Sequence, residues 1–155
     1  GWRRVVGSPR PLRVMELETI RILVERDVLV VCAGGGGLPV VFEEGRVHGI
    51  EAVVDKDRTT GLLARELAAD ALLLLTDVDA VRSGWGTPAE RPIHRATPAQ
   101  LRSLDLDEGS MGPKVEAACD FVERTGAFAA IGALEDATEI LKGGAGTVIE
   151  PDPAG

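Results

Sequence analysis

Four short stretches of this 155-residue chain hold residue types that could do chemistry. The first is Ala33-Gly34-Gly35-Gly36-Gly37, directly after an apolar run. Consecutive glycines permit positive φ and let backbone N–H groups approach an anion closely, so this loop reads either as a ligand contact or as a tight turn. It is not the dinucleotide fingerprint, because G-x-G-x-x-G would put glycine where Pro39 stands. The second is Gly109-Ser110-Met111-Gly112-Pro113-Lys114, leading into an expected helix over 113–125. Pro113 suits the first helical position, which leaves Lys114 in the first turn, where the macrodipole disfavours a cation by about 0.3–1 kcal/mol. A bound phosphate would reverse that sign; otherwise Lys114 is an exposed lysine tolerated at small cost.

The third stretch is Asp55-Lys56-Asp57, ahead of an expected helix over 57–69. Acidic residues there are ordinary capping chemistry, and Lys56 between them reads as a solvated charge or a catalyst. The fourth is Thr76-Asp77-Val78-Asp79, whose aspartates suit a ribose, a water or Mg²⁺, or merely organise a turn. His48 and His94 are isolated and Ser110 has no evident base, so neither a histidine triad nor a zinc site is supported. Trp2 and Trp85 read as packing residues.

The elements that must position these stretches follow from hydrophobic periodicity. Residues 14–26 carry Met15, Leu17, Ile20, Leu23 and Val24 at helical spacing, and 57–69 carry Leu62, Leu63 and Leu67. The Val-rich run 28–33 reads as a strand buried on both faces, as do 71–75, 128–131 and 147–150. A hairpin over 39–54 turns at Glu44-Gly45, and 83–92 reads as a Gly- and Pro-containing loop. Short helices are expected over 98–104 and 135–142, and Gly126 closes the helix over 113–125. Buried strands alternating with amphipathic helices predict a doubly wound α/β sheet with helices on both sides. Ligands bind such sheets at the carboxyl ends of strands, which singles out the loops at 34–37, 76–80 and 109–113.

Hydrophobic residues make up 45% of the chain, so a packed core is expected, filled by Val, Leu, Ile and Ala because only five residues are aromatic. The net charge of −8 and the scarcity of aromatics disfavour nucleic acid as a partner, while a small phosphate in one cleft stays open. The longest uncharged stretch, 28–42, is interrupted by glycines and Pro39 and is too short to cross a membrane. No signal-type apolar run follows the start, and Cys32 and Cys119 read as buried free thiols, so a cytoplasmic location is expected. The chain opens on Gly1 rather than Met, as a piece of a longer protein or a processed product would.

The motifs also occur in a telling order. Gly1-Trp2-Arg3-Arg4-Val5-Val6 with Ser8-Pro9 comes first, then Ala33 to Gly37 with Pro39-Val40, then Glu51-Ala52-Val53-Val54-Asp55-Lys56-Asp57. Leu75-Thr76-Asp77-Val78-Asp79, Gly109 to Lys114 with Val115-Glu116-Ala117-Ala118, and Gly144-Ala145-Gly146-Thr147 complete it. Over nearly its whole length the chain resembles the carbamate kinases, a branch of the amino acid kinase family. The resemblance implies a three-layer αβα sandwich with a mainly parallel sheet. Residues 1–155 would form its C-terminal, nucleotide-binding half, with the 39–54 hairpin as an excursion and the N-terminal half absent. It implies phosphoryl transfer, ATP + carbamate to ADP + carbamoyl phosphate, with ATP or ADP as substrate and Mg²⁺ as cofactor.

Carried over by position, Lys56 matches a lysine that reaches the transferring phosphoryl group. Asp57 matches an aspartate that orients the catalytic lysines, and Lys114 a second lysine on the nucleotide phosphates. Thr76, Asp77 and Val78 resemble walls of the nucleotide pocket, as do Gly109, Met111, Gly112 and Pro113, and Gly34, Gly35 and Gly36 resemble backbone donors near the reacting groups. Such chemistry needs positioning and charge neutralisation rather than a strong base, since carbamate is already a nucleophilic anion. Gly7 stands where the family usually has Pro, and 82–95 diverges. The implied partners are small-molecule substrates, with a homodimer or association with an N-terminal half, and neither nucleic acid nor membrane. Two rivals remain: a non-catalytic nucleotide-binding or assembly module, and another amino acid kinase acting on a carboxylate.

Overall fold

The computed structural model describes residues 2, 5–106 and 110–152. In chain order it runs through helix α1 (Leu17–Val24), the hairpin β1 (Val40–Glu43) and β2 (Arg46–Gly49), helix α2 (Lys56–Glu66) and strand β3 (Ala71–Thr76). Strands β4 (Val81–Ser83), β5 (Arg91–Ile93) and β6 (Arg95–Ala96) follow, then helices α3 (Pro98–Arg102) and α4 (Met111–Thr125). Strand β7 (Phe128–Ala133), helix α5 (Ala137–Leu141) and strand β8 (Thr147–Ile149) close the series.

The main sheet has the order β3-β7-β8-β6. β3 and β7 are parallel, in register from Ala71–Phe128 to Thr76–Ala133, and β6 is parallel to β8. β8 runs antiparallel to β7. α5 explains the reversal: five helical residues span about 8 Å, against about 20 Å for a six-residue strand, too little to carry the chain back along β7.

Strand parity shows the layers. Leu72, Leu74, Ala129 and Ile131 face the side where Val115, Ala118, Phe121 and Val122 of α4 complete the main core. Gly132, of the opposite parity, meets Ile140 of α5 so closely that a Cβ there would lie 2.8 Å from its Cδ1. α4 and α5 therefore cover opposite faces, giving an αβα sandwich with a mainly parallel sheet. α2 lies beside α4 and runs in the same direction. Asp57 meets Lys114 at their starts, and about one turn further on a Cβ at Gly61 would lie 3.3 Å from that of Ala117.

The expected buried strand over 28–33 does not form. These residues pair with no neighbour among the described residues, and Leu29 and Val31 are 92% and 95% exposed. An apolar run becomes a buried strand only when other strands flank it. Cys32, within it, is consequently exposed, whereas Cys119 is buried as expected. Trp2 and Trp85 are exposed as well. The helix expected over 14–26 is confined to α1, and of its apolar residues only Ile20 is buried.

The expected loop over 83–92 carries a small antiparallel ladder instead, β4 with β5. Thr147, fully buried, anchors that ladder: its Oγ1 accepts from the Val81 N–H at 2.8 Å and donates to the Ile93 carbonyl at 2.5 Å. Among the described residues no helix is long and apolar enough to cross a membrane.

Candidate functional site

α2 precedes β3 and α4 precedes β7, so in this topology both helices present their N-terminal ends where the two parallel strands end. Asp55 caps α2: its Oδ1 accepts from the N–H groups of Asp57 at 3.0 Å and Arg58 at 3.1 Å. That cap fixes Lys56 and Asp57 in the first turn. Asp57 is buried, and its Oδ2 receives two ammonium groups, Lys114 at 3.1 Å and Lys56 at 3.7 Å. The Lys114 side chain is only 12% exposed, whereas that of Lys56 is 58% exposed.

Lys114 is thus no exposed lysine near an unfavourable dipole. The carboxylate that offsets the dipole comes from α2, far off in sequence. Asp55 and Asp57 together balance the two lysines, so the attraction for an anion here comes from the exposed Lys56 ammonium and the positive end of α4. α4 begins at Met111, so Pro113 is its third residue rather than its first. Ser110 provides no side-chain cap, and the leading N–H groups of α4 have no acceptor within the helix. Met111, Gly112 and Pro113 form the first turn at this end, and Gly109 lies outside the described residues.

The glycine loop reaches the same place. Gly36 is buried at φ +127°, and a Cβ there would lie 2.1 Å from the Val54 carbonyl oxygen, so only glycine fits. The Thr59 hydroxyl of α2 donates to the Gly36 carbonyl at 2.8 Å, pinning the loop to the helix that carries Lys56 and Asp57. Gly34 and Gly35 are exposed next to it. Thr59 escaped the sequence reading, because a threonine early in a helix gives no sign of a carbonyl partner that arrives from another segment.

At the end of β3 the two aspartates part ways. Thr76 Oγ1 donates to Asp77 Oδ1 at 3.1 Å, and Asp77 stays exposed. Asp79 takes both oxygens to Arg82 at 3.0 Å, and this hydrogen-bonded guanidinium holds its carboxyl below the usual carboxylate range. Arg82 also reaches Glu90 at 3.3 Å, so Asp79 braces the turn into β4.

Residues 2–131 match the Amino acid kinase family. The chain is 50% identical over 151 residues to the carbamate kinase of Rhizobium meliloti (strain 1021), covering 96% of this chain and 47% of that protein. The carbamate kinase of Pyrococcus furiosus is 46% identical over 155 residues, covering 97% and 49%. The solved structure of carbamate kinase from Giardia lamblia bound to AMP-PNP superposes with a TM-score of 0.93 at 40% identity, covering 96% of this chain and 53% of that one. The chain spans about half the length of the curated relatives it matches. With most of its residues inside the family match, this chain belongs to the amino acid kinase family.

Proposed function

We propose that the chain supplies the nucleotide site of a carbamate kinase-type phosphotransferase, which interconverts ATP plus carbamate with ADP plus carbamoyl phosphate. The observation that carries this reading is the convergence of Lys56 and Lys114 on buried Asp57 at two helix N-termini. In this reading the nucleotide phosphates lie at the start of α4, where Lys114 and the leading N–H groups attract them. Lys56, exposed and held only at 3.7 Å, is free to swing onto the moving phosphoryl group. Asp57 keeps both ammonium groups aimed, so that their field is in place before charge shifts. Gly34, Gly35 and Gly36 offer backbone donors to the reacting oxygens, and Thr76, Asp77 and Val78 line the nucleoside side.

The relative from Giardia lamblia holds AMP-PNP, which supports nucleotide use. Among the described residues no three His, Cys, Asp or Glu side chains cluster as metal ligands. In this reading the Mg²⁺ ion arrives on the nucleotide phosphates, as it commonly does.

Calorimetric titration with ADP and Mg²⁺ tests the site: saturable one-site binding is expected, about tenfold weaker in Lys114→Ala, equivalent to about 1.4 kcal/mol. Unchanged affinity in Lys114→Ala removes its phosphate role. Turnover needs a second assay, in which the chain is mixed with a separately expressed N-terminal half of a carbamate kinase and ATP formation from carbamoyl phosphate and ADP is followed. The exposed apolar run at 28–33 beside the glycine loop favours the rival of a non-catalytic module in isolation. No turnover from a mixture that does bind ADP would select that rival. Assaying acetylglutamate and glutamate beside carbamate separates the other amino acid kinases.

A further inference from the structure

α2, α4 and the extended residues 10–12 enclose a cavity of about 230 Å³ whose lining includes none of Lys56, Asp57 and Lys114. Leu62 and Phe121, both buried, give it an apolar floor. Its polar wall sets four arginines, Arg10, Arg58, Arg65 and Arg124, against two carboxylates, Glu116 and Asp120. Those carboxylates are already engaged. Arg10 and Arg58 each donate to one oxygen of Glu116, and Asp120 accepts from Arg102 at 2.9 Å and has Arg10 at 3.7 Å. Arg65 turns to Glu66 at 2.7 Å.

Two guanidinium donors are left over. Arg124, exposed at the rim, has no carboxylate partner among the described residues, and the Nε of Arg58, closed off from solvent, has no hydrogen-bond acceptor. A buried donor without an acceptor is costly, and an oxyanion reaching it would relieve that cost. The concentration of arginine is local: the chain as a whole carries −8, yet the field in one cleft is set by its own lining.

We infer that this cavity is a binding site for a small organic carboxylate, a planar oxyanion on a short hydrocarbon body. Guanidinium forks match a carboxylate in two-point geometry, and the floor of Leu62 and Phe121 takes the hydrocarbon. The volume lies below that of drug-sized pockets, so the occupant has few heavy atoms. The site is separate from the nucleotide site and does not depend on how that site is read.

The test is an NMR titration of the chain, its backbone amides labelled with ¹⁵N, using butyrate, acetate and orthophosphate as probes. Butyrate is expected to shift amides around Gly61 and Ala117 saturably, with acetate weaker because it lacks the hydrocarbon. Arg124→Gln should weaken butyrate by about tenfold, the loss of one charge-assisted contact, and Lys114→Ala should leave it unchanged. Three results overturn the proposal: no saturable shift with butyrate, loss in Lys114→Ala with retention in Arg124→Gln, or orthophosphate binding as tightly as butyrate.

Discussion

The chain divides near Val54 into two regions of opposite character. Apart from Trp85, Leu134 and Leu141, every exposed large apolar side chain lies at or before Val53. Among buried hydrophobic residues only Ile20 precedes Val54. Both regions contain continuous apolar runs: 28–33 holds three Val and a Leu among its six residues, and 71–75 four Leu among its five. What separates them is partners. β3 has β7 alongside and α4 above it, whereas 28–33 has neither among the described residues. Hydrophobicity alone does not bury a segment; a matching surface must come to it, and the relatives, about twice as long, have the chain length to supply one.

The largest expected effect measures that division. Phe121→Ala removes a fully buried ring from the main core and should lower the unfolding free energy by about 3–5 kcal/mol. Leu29→Ala, at an exposed position, should change it by less than about 0.5 kcal/mol. Urea denaturation followed by circular dichroism reads both. A Leu29→Ala cost approaching that of Phe121→Ala would mean that 28–33 is covered in solution, and the comparison would fall.

The next effect concerns the place where the regions meet. Lys114 and Asp57 are both largely buried, so Lys114→Met leaves Asp57 with only the distant Lys56 and should cost about 1–3 kcal/mol of stability. Lys56→Met should cost less than about 1 kcal/mol, because Lys56 is mostly exposed and its contact with Asp57 is long. Equal costs would show that the two lysines share Asp57 evenly and would remove the freedom assigned to Lys56.

How much of this could be read in the sequence depended on the range of the interaction. α2, α4, β3 and β7 were legible because helical spacing and short apolar runs are local signals, and Gly126, at φ +72°, closes α4 as expected. The Gly34–Gly36, Lys56–Asp57 and Lys114 stretches were visible as chemistry from residue type. The 57-residue separation of Lys114 from Asp57 put their pairing beyond any periodicity, and resemblance alone suggested it. β4 and β5 stayed hidden because Pro92 and the glycines 84 and 86 read as loop, while the residue that fixes them, Thr147, comes more than fifty positions later. The 28–33 run failed for the opposite reason: its local signal was sound, but its partners are not among the described residues.

A third, smaller effect follows from the uncovered run. An extended apolar segment with unpaired backbone groups is a template for association, so the chain should self-associate with rising concentration. The double substitution Leu29→Lys and Val31→Lys should shift sedimentation toward monomer, whereas Leu141→Lys, an exposed apolar position in the second region, should not. Equal shifts would locate the association elsewhere.

The smallest effect, and the sharpest in contrast, lies in the two thiols. Cys32 is exposed and Cys119 is buried on the core-facing side of α4, where burial pushes its thiol up from 9.0 to about 11. At about pH 8 iodoacetamide should therefore alkylate Cys32 readily and leave Cys119 untouched in the folded chain, because the thiolate is the reactive form. The stability consequence has a definite sign. A thiol whose folded value is raised contributes fully below pH 9.0, where the unfolded thiol is still protonated, and that contribution fades between pH 9.0 and about 11 as the unfolded thiol ionises. Wild type should lose stability relative to Cys119→Ala across that window, with no tyrosine in the chain to titrate alongside. Equal alkylation of both thiols would show that the second region opens as freely as the first. Protection of Cys32 would show the first to be covered, and either result erases the boundary at Val54.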